Sequence, residues 1–230
     1  MGIWWLILVI AVVFGAWLLG YQSRQSRFIA QKMNLPRDYL VGLNYLLNEE
    51  PDKAVDIFIK MLEVDSNTVE THMAVGKLFR RRGEVDRAIR IHQNLIARPQ
   101  LDKVYREQSL YELGQDYFSA GVLDRAERIF LELVSVKEYT APALRALLDI
   151  YQQEKAWESA IQTANKLEIV TRKNMQPNIA HYCCELAEIS FHKGQIDQAN
   201  QYLKQALAVD ADCVRASLLQ ARIEMSQSDF

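Results

Sequence analysis

An unbroken apolar run, IWWLILVIAVVFGAWLL, fills residues 3–19, and a polar, basic segment follows it. Beyond that point apolar positions recur with a helical period. In the stretch 76–95, GKLFRRRGEVDRAIRIHQNL, Leu78 and Phe79 belong to one helix. Ala88, Ile91 and Leu95 follow at spacings of three and four, on one face of a second. Gly83 lies between them and supplies the left-handed conformation that ends a helix cheaply. Asp86 falls in the first turn of the second helix, where a negative charge meets the helix dipole favourably. The pattern predicts two helices folded back on each other.

This unit recurs. Gly42 and Gly76, Tyr45 and Phe79, and Ala54 and Ala88 are each separated by 34 residues, the period of a tetratricopeptide array. Five hairpins share one register, marked by Ala54, Ala88, Ala126, Ala160 and Ala199 at intervals of 34, 38, 34 and 39. Extra residues fall in the segments 98–106 and 171–177, which contain Pro99 and Pro177. An acid stands two residues before each alanine: Asp52, Asp86, Asp124, Glu158 and Asp197. Gly83, Gly121 and Gly194 stand five before it in three hairpins. The small first-helix residue is Gly42, Gly76, Gly114 or Ala187, with Leu148 as the exception. Aromatics follow at Tyr45, Phe79, Tyr117 and Tyr151; Ser190 breaks that series and Phe191 is expected to substitute. The segment 214–230 reads as the first helix of a sixth hairpin, with Leu218, Leu219 and Ile223 expected to be half covered. That implies either a longer protein or a partner over the end.

The predicted fold is all-α: an N-terminal transmembrane helix over 1–22, a basic juxtamembrane linker over 23–36, and a right-handed superhelical tetratricopeptide solenoid over 37–230. The apolar run is long enough to approach the bilayer core as a helix, at ~1.5 Å per residue against ~30 Å. Trp4 and Trp5 at one end and Trp17 and Tyr21 at the other sit where interfacial aromatics do. No basic residue precedes Arg24, and the following flank is a poor cleavage site, so an uncleaved anchor is expected rather than a signal peptide. Arg24, Arg27, Lys32 and Arg37 all follow the span, which puts the N-terminus outside and the bulk of the chain in the cytoplasm. The same basic residues would alternatively contact lipid headgroups.

Composition narrows the function. Hydrophobic residues make up 50% of the chain and charged residues 24%, which excludes a disordered chain. A net charge of −2 argues against a nucleic-acid binder. The three cysteines, Cys183, Cys184 and Cys213, are a poor disulfide framework. His181, Cys183 and Cys184, with His192 nearby, invite a metal reading. Adjacent helical cysteines point about 100° apart, however, so packing is the expected role. No nucleophile elbow, P-loop, dinucleotide fingerprint or HExxH motif is present, so no catalytic or metal site is assigned and an enzyme is not expected. Glu112 with Asp116 and Glu154 with Glu158 are carboxylate pairs expected on exposed helix faces.

First-helix residues line the concave groove of such an array. By register these are Lys77, Arg80 and Arg81, then Tyr111, Gln115 and Phe118, then Arg145, Asp149 and Gln152. Lys77, Arg80 and Arg81 belong to a basic cluster with Arg82, Arg87 and Arg90. The groove would take an acidic protein segment, because arginine pairs well with carboxylates. The alternative is a solvated helix face with i,i+4 pairs.

The segments RDYLVGLNYLL (37–47), DKAVD (52–56), GEVDRAIRIHQ (83–93) and IAHYCCELA (179–187), with the anchor and its basic flank, resemble the lipopolysaccharide assembly protein B (LapB, YciM) family. The resemblance implies a single-pass protein of the Gram-negative inner membrane with cytoplasmic repeats. It implies an adaptor that helps the membrane protease FtsH degrade LpxC, the deacetylase committing precursor to lipid A, opposed by a lipopolysaccharide-sensing inner-membrane protein. Family members also carry further repeats and a C-terminal rubredoxin-like domain with two CxxC pairs, which would bind iron or zinc. This chain stops before either, so no cofactor is expected within it. Self-association remains open, and the rival reading is a membrane-tethered scaffold for envelope or cytochrome complex assembly.

Overall fold

The computed structural model describes residues 69–228, together with 40–42, 44, 45, 53 and 57. The anchor, its flanking residues Trp4, Trp5, Trp17, Tyr21, Arg24 and Arg27, and the alanine marker Ala54 lie outside the described residues. Among those described, no helix is long and apolar enough to cross a membrane. The chain divides into two units, 1–67 and 68–230. In the first, the ammonium of Lys53 lies 5.6 Å from the centre of the Tyr45 ring.

The second unit is helical throughout. Its elements are α1 (Val69–Arg81), α2 (Val85–Ile96), α3 (Lys103–Ser119), α4 (Leu123–Leu133), α5 (Thr140–Gln153), α6 (Trp157–Thr171), α7 (Gln176–His192), α8 (Ile196–Val209) and α9 (Val214–Ser228). Every helix–helix contact among them joins sequence neighbours or next-but-one neighbours. That is the one-dimensional contact pattern of a solenoid, in which each pair is stabilised by the pairs beside it.

Each turn between a first and second helix closes in the same way. Gly83 donates to the Arg80 carbonyl at 3.0 Å and Glu84 to the Phe79 carbonyl at 2.9 Å. Gly121 and Val122, Lys155 and Ala156, and Gly194 and Gln195 repeat the two bonds. These are Schellman caps, which satisfy carbonyls left over at a helix end and require positive φ at the residue after the cap. Three hairpins meet that requirement with glycine. The third has Lys155 at φ 56°.

The second helices begin without a side-chain N-cap, and Asp86, Asp124, Glu158 and Asp197 sit in their first turns instead. Ala88, Ala126, Ala160 and Ala199 are the fourth residues of α2, α4, α6 and α8 and are all fully buried. A side chain beyond Cβ at these points would hold the two helices of a hairpin apart.

The Leu148 exception has a packing explanation. Sixteen residues after each first-helix marker stands its second-helix counterpart: Gly76 and His92, Gly114 and Phe130, Leu148 and Ala164, Ala187 and Leu203. A Cβ on Gly76 would come 2.5 Å from the His92 ring, and one on Gly114 would come 2.8 Å from Phe130. Where the first-helix residue is large, its counterpart is alanine, so the pair keeps its summed volume.

Two expectations at the C-terminal end are corrected. Ser190, only 6% exposed, keeps the aromatic slot in α7, while Phe191 is half-buried with the Arg222 guanidinium 5.4 Å from its ring centre. Phe191 packs at the edge of the core beside this slot, one residue off the register, while Ser190 occupies the slot itself. Of these three α9 residues Leu218 is uncovered, whereas Leu219 and Ile223 are buried. They face α7 and α8, whereas Leu218 lies on the opposite side of the helix.

Candidate partner-binding groove

The first junction holds a buried ionic cluster. Lys77 and Arg80 lie one turn apart on α1, and Glu112 and Asp116 one turn apart on α3, so the two rows meet side by side. Lys77 Nζ is 2.8 Å from Glu112 Oε1. Arg80 places Nη2 2.6 Å from Glu112 Oε2 and Nη1 2.6 Å from Asp116 Oδ1. Its Nη1 also donates to the Glu112 backbone carbonyl at 3.2 Å. The second Asp116 oxygen lies 2.5 Å from His92 Nδ1 of α2. His92 and Asp116 are fully buried, and the other imidazole nitrogen, Nε2, has no hydrogen-bond partner among the described residues.

The cluster corrects the expectation that Glu112 and Asp116 lie on an exposed face. Burial alone would push the Glu112 carboxyl up, but hydrogen bonds from Lys77 and Arg80 outweigh it and hold the group below its ordinary value. Burial likewise works against the Arg80 charge, and its bonds to Glu112 and Asp116 more than restore it. The cations needed for this come from the preceding hairpin, across a sequence separation of 32 to 36 residues. An i,i+4 pair read on its own helix has no such compensation in view. The missed signal was an offset of about one repeat between two acids and two bases. Glu154 and Glu158 are exposed, as expected.

The remaining groove residues are spread along the first helices. Arg81 is exposed. Tyr111 is half-buried, its ring 5.9 Å from Phe130 and 5.3 Å from Tyr139, and its hydroxyl accepts from Gln115 Nε2 at 3.3 Å. Phe118 is half-buried against the core. Arg145 and Asp149 are exposed on α5, and partial burial raises the Asp149 carboxyl above its usual range. Gln152 Nε2 donates to the Tyr182 hydroxyl at 2.9 Å. Lys77 and Arg80 are thus committed within the chain, and the charge available to a partner on these positions is that of Arg81, Arg145 and Asp149.

Among the described residues no group of His, Cys, Asp and Glu side chains could hold a metal ion. Cys183, Cys184 and Cys213 are buried free thiols, whereas His181 and His192 point to solvent. Burial and the neighbouring Cys213 push the Cys184 thiol up to about 12.

The stacked hairpins, their repeated caps and the groove of first-helix side chains define a tetratricopeptide-repeat protein. Models of the tetratricopeptide repeat match residues 71–104 and 185–230. The MamA protein crystal structure shares the fold, with a TM-score of 0.51 and 21% identity over 76% of this chain and 90% of that one. The particular relationship is to lipopolysaccharide assembly protein B, to which this chain is homologous over almost its whole length. It is 40% identical to the Escherichia coli (strain K12) protein over 98% of this chain, and 36% identical to the Haemophilus influenzae protein over the same share. The chain spans 58% of the length of each relative.

Proposed function

We propose that this chain is a membrane-tethered adaptor in lipopolysaccharide assembly, which delivers the deacetylase LpxC to the protease FtsH. The observation that carries the reading is the 40% identity over 98% of the chain to a protein named for that process. The solenoid supports it, since such surfaces bind polypeptides. The apolar N-terminal run would act as the anchor in the inner membrane, with the repeats in the cytoplasm. Confinement to the plane where a membrane protease resides raises the effective concentration of a weakly held client. A lipopolysaccharide-sensing membrane protein would compete for the same adaptor. Iron or zinc would enter only through a rubredoxin-like domain in a longer form of the protein.

The test is the lifetime of LpxC in cells lacking the native adaptor and supplied with this chain. Variants must spare Lys77 and Arg80, whose loss would unpair buried carboxylates. Arg81→Glu with Arg145→Glu reverses the exposed cations instead. Faster LpxC turnover with the chain, lost on deleting residues 1–22 and weakened by the double variant, is the expected result. Unchanged turnover with the chain extended by the relatives' remaining length would overturn the reading.

A further inference from the structure

A cleft of about 530 Å3 opens between the second helices α2 and α4, with α3 as its floor. Its floor is Leu110, Leu113 and Tyr117, and Ile96 and Ile129 form the walls. Leu110 is only half-buried, although its counterparts at the same register, His72, Leu144 and Cys183, are 3%, 2% and 3% exposed. Among the described hairpins, this register position is left uncovered only here. The floor is fixed: the Tyr117 hydroxyl accepts from Gln93 Nε2 at 2.8 Å and from Arg125 Nη1 at 3.3 Å.

The rim carries charge of one dominant sign. Arg125 and Arg128, one turn apart on α4, face a single acid, Glu132, among the lining residues. Among the described residues neither guanidinium forms an ion pair; Arg128 Nε reaches only the carbonyl of Asp124 in its own helix, at 3.4 Å. The walls are helices whose backbone groups are already satisfied, so the cleft offers an occupant no backbone pairing. An occupant must therefore satisfy its own backbone, which a helix does and an extended strand does not.

We propose that this cleft receives an amphipathic helix of a partner protein, with aliphatic side chains on Leu110 and Ile129 and a carboxylate on Arg128. The site opens between the second helices, so it gives the chain a docking surface separate from the groove positions of the first helices. A partner there and one in the groove are then held at once, independently of which proteins they are.

The probe is a fluorescein-labelled synthetic helix with leucines at i, i+3 and i+7 and glutamate at i+4, together with its lysine counterpart. Binding is measured by anisotropy to the full chain in lipid nanodiscs, with empty nanodiscs subtracted. A benzophenone amino acid in place of Ala97, an exposed lining position, maps the contact. The glutamate helix is expected to bind saturably and to crosslink at position 97. Arg128→Glu, at an exposed position, should weaken it at least tenfold and restore binding of the lysine helix, while Arg145→Glu changes neither. Absence of saturable binding, or equal affinity for the wild type and Arg128→Glu, overturns the proposal.

Discussion

The Arg80 guanidinium of one hairpin donates a 2.6 Å hydrogen bond to the fully buried Asp116 carboxylate of the next. Asp116 is completed on its other oxygen by His92, so one acid ties together α1, α2 and α3. Helix pairs in a solenoid owe their stability to the interface with the next pair. Here the ionic contact is fully buried at Asp116, whereas the Arg215 ion pairs to Glu185 and Glu188 at the last junction are partly exposed.

Asp116→Ala should therefore destabilise the repeats strongly. Removing one member of a buried pair leaves its partners uncompensated, at a cost of about 3–5 kcal/mol. Asp116→Asn keeps an acceptor and should cost less. Urea unfolding followed by far-UV circular dichroism measures both, and equal small losses would show that the cluster contributes little.

The cluster also sets an acid limit. The Glu112 carboxyl is held below its ordinary value of 4.5 in the folded chain. Its stabilisation is complete above that value and is lost as pH falls through the lowered folded one. Unfolding free energy should decline on acidification in that window, and Glu112→Gln should flatten this part of the curve.

Lys155 holds a left-handed conformation that three other turns assign to glycine. An L-residue pays about 1 kcal/mol there. Lys155→Gly should raise stability by about that amount, and Gly121→Ala, at φ 74°, should lower it comparably. Paired thermal melts of the two variants check the sign at each turn.

Gly114 leaves room for Phe130, so Gly114→Ala should cost about 1–3 kcal/mol through overpacking. Truncating the ring in Gly114→Ala/Phe130→Ala should remove the clash, giving less destabilisation than the sum of the two single variants. A double-mutant cycle measures the coupling, and strict additivity would contradict the contact.

The hairpins, their turns and their register were legible in the sequence because each is local. A glycine after a helix, an acid in a first turn and a buried alanine act within a few residues, and repetition at about 34 residues makes them visible. Apolar periodicity likewise marked the face that each helix buries. Tertiary structure alone decided which polar side chains belong to a partner and which to the chain itself. Lys77, Arg80, Glu112 and Asp116 read as two solvated rows until α1 and α3 are laid side by side. Desolvation cost and compensation are then set by groups some 32 to 36 residues away. The same holds for Leu148, acceptable only because Ala164 stands opposite, and for the cleft over Leu110. Local conformational preference is a property of neighbouring residues, whereas burial and charge pairing depend on what another helix brings into contact.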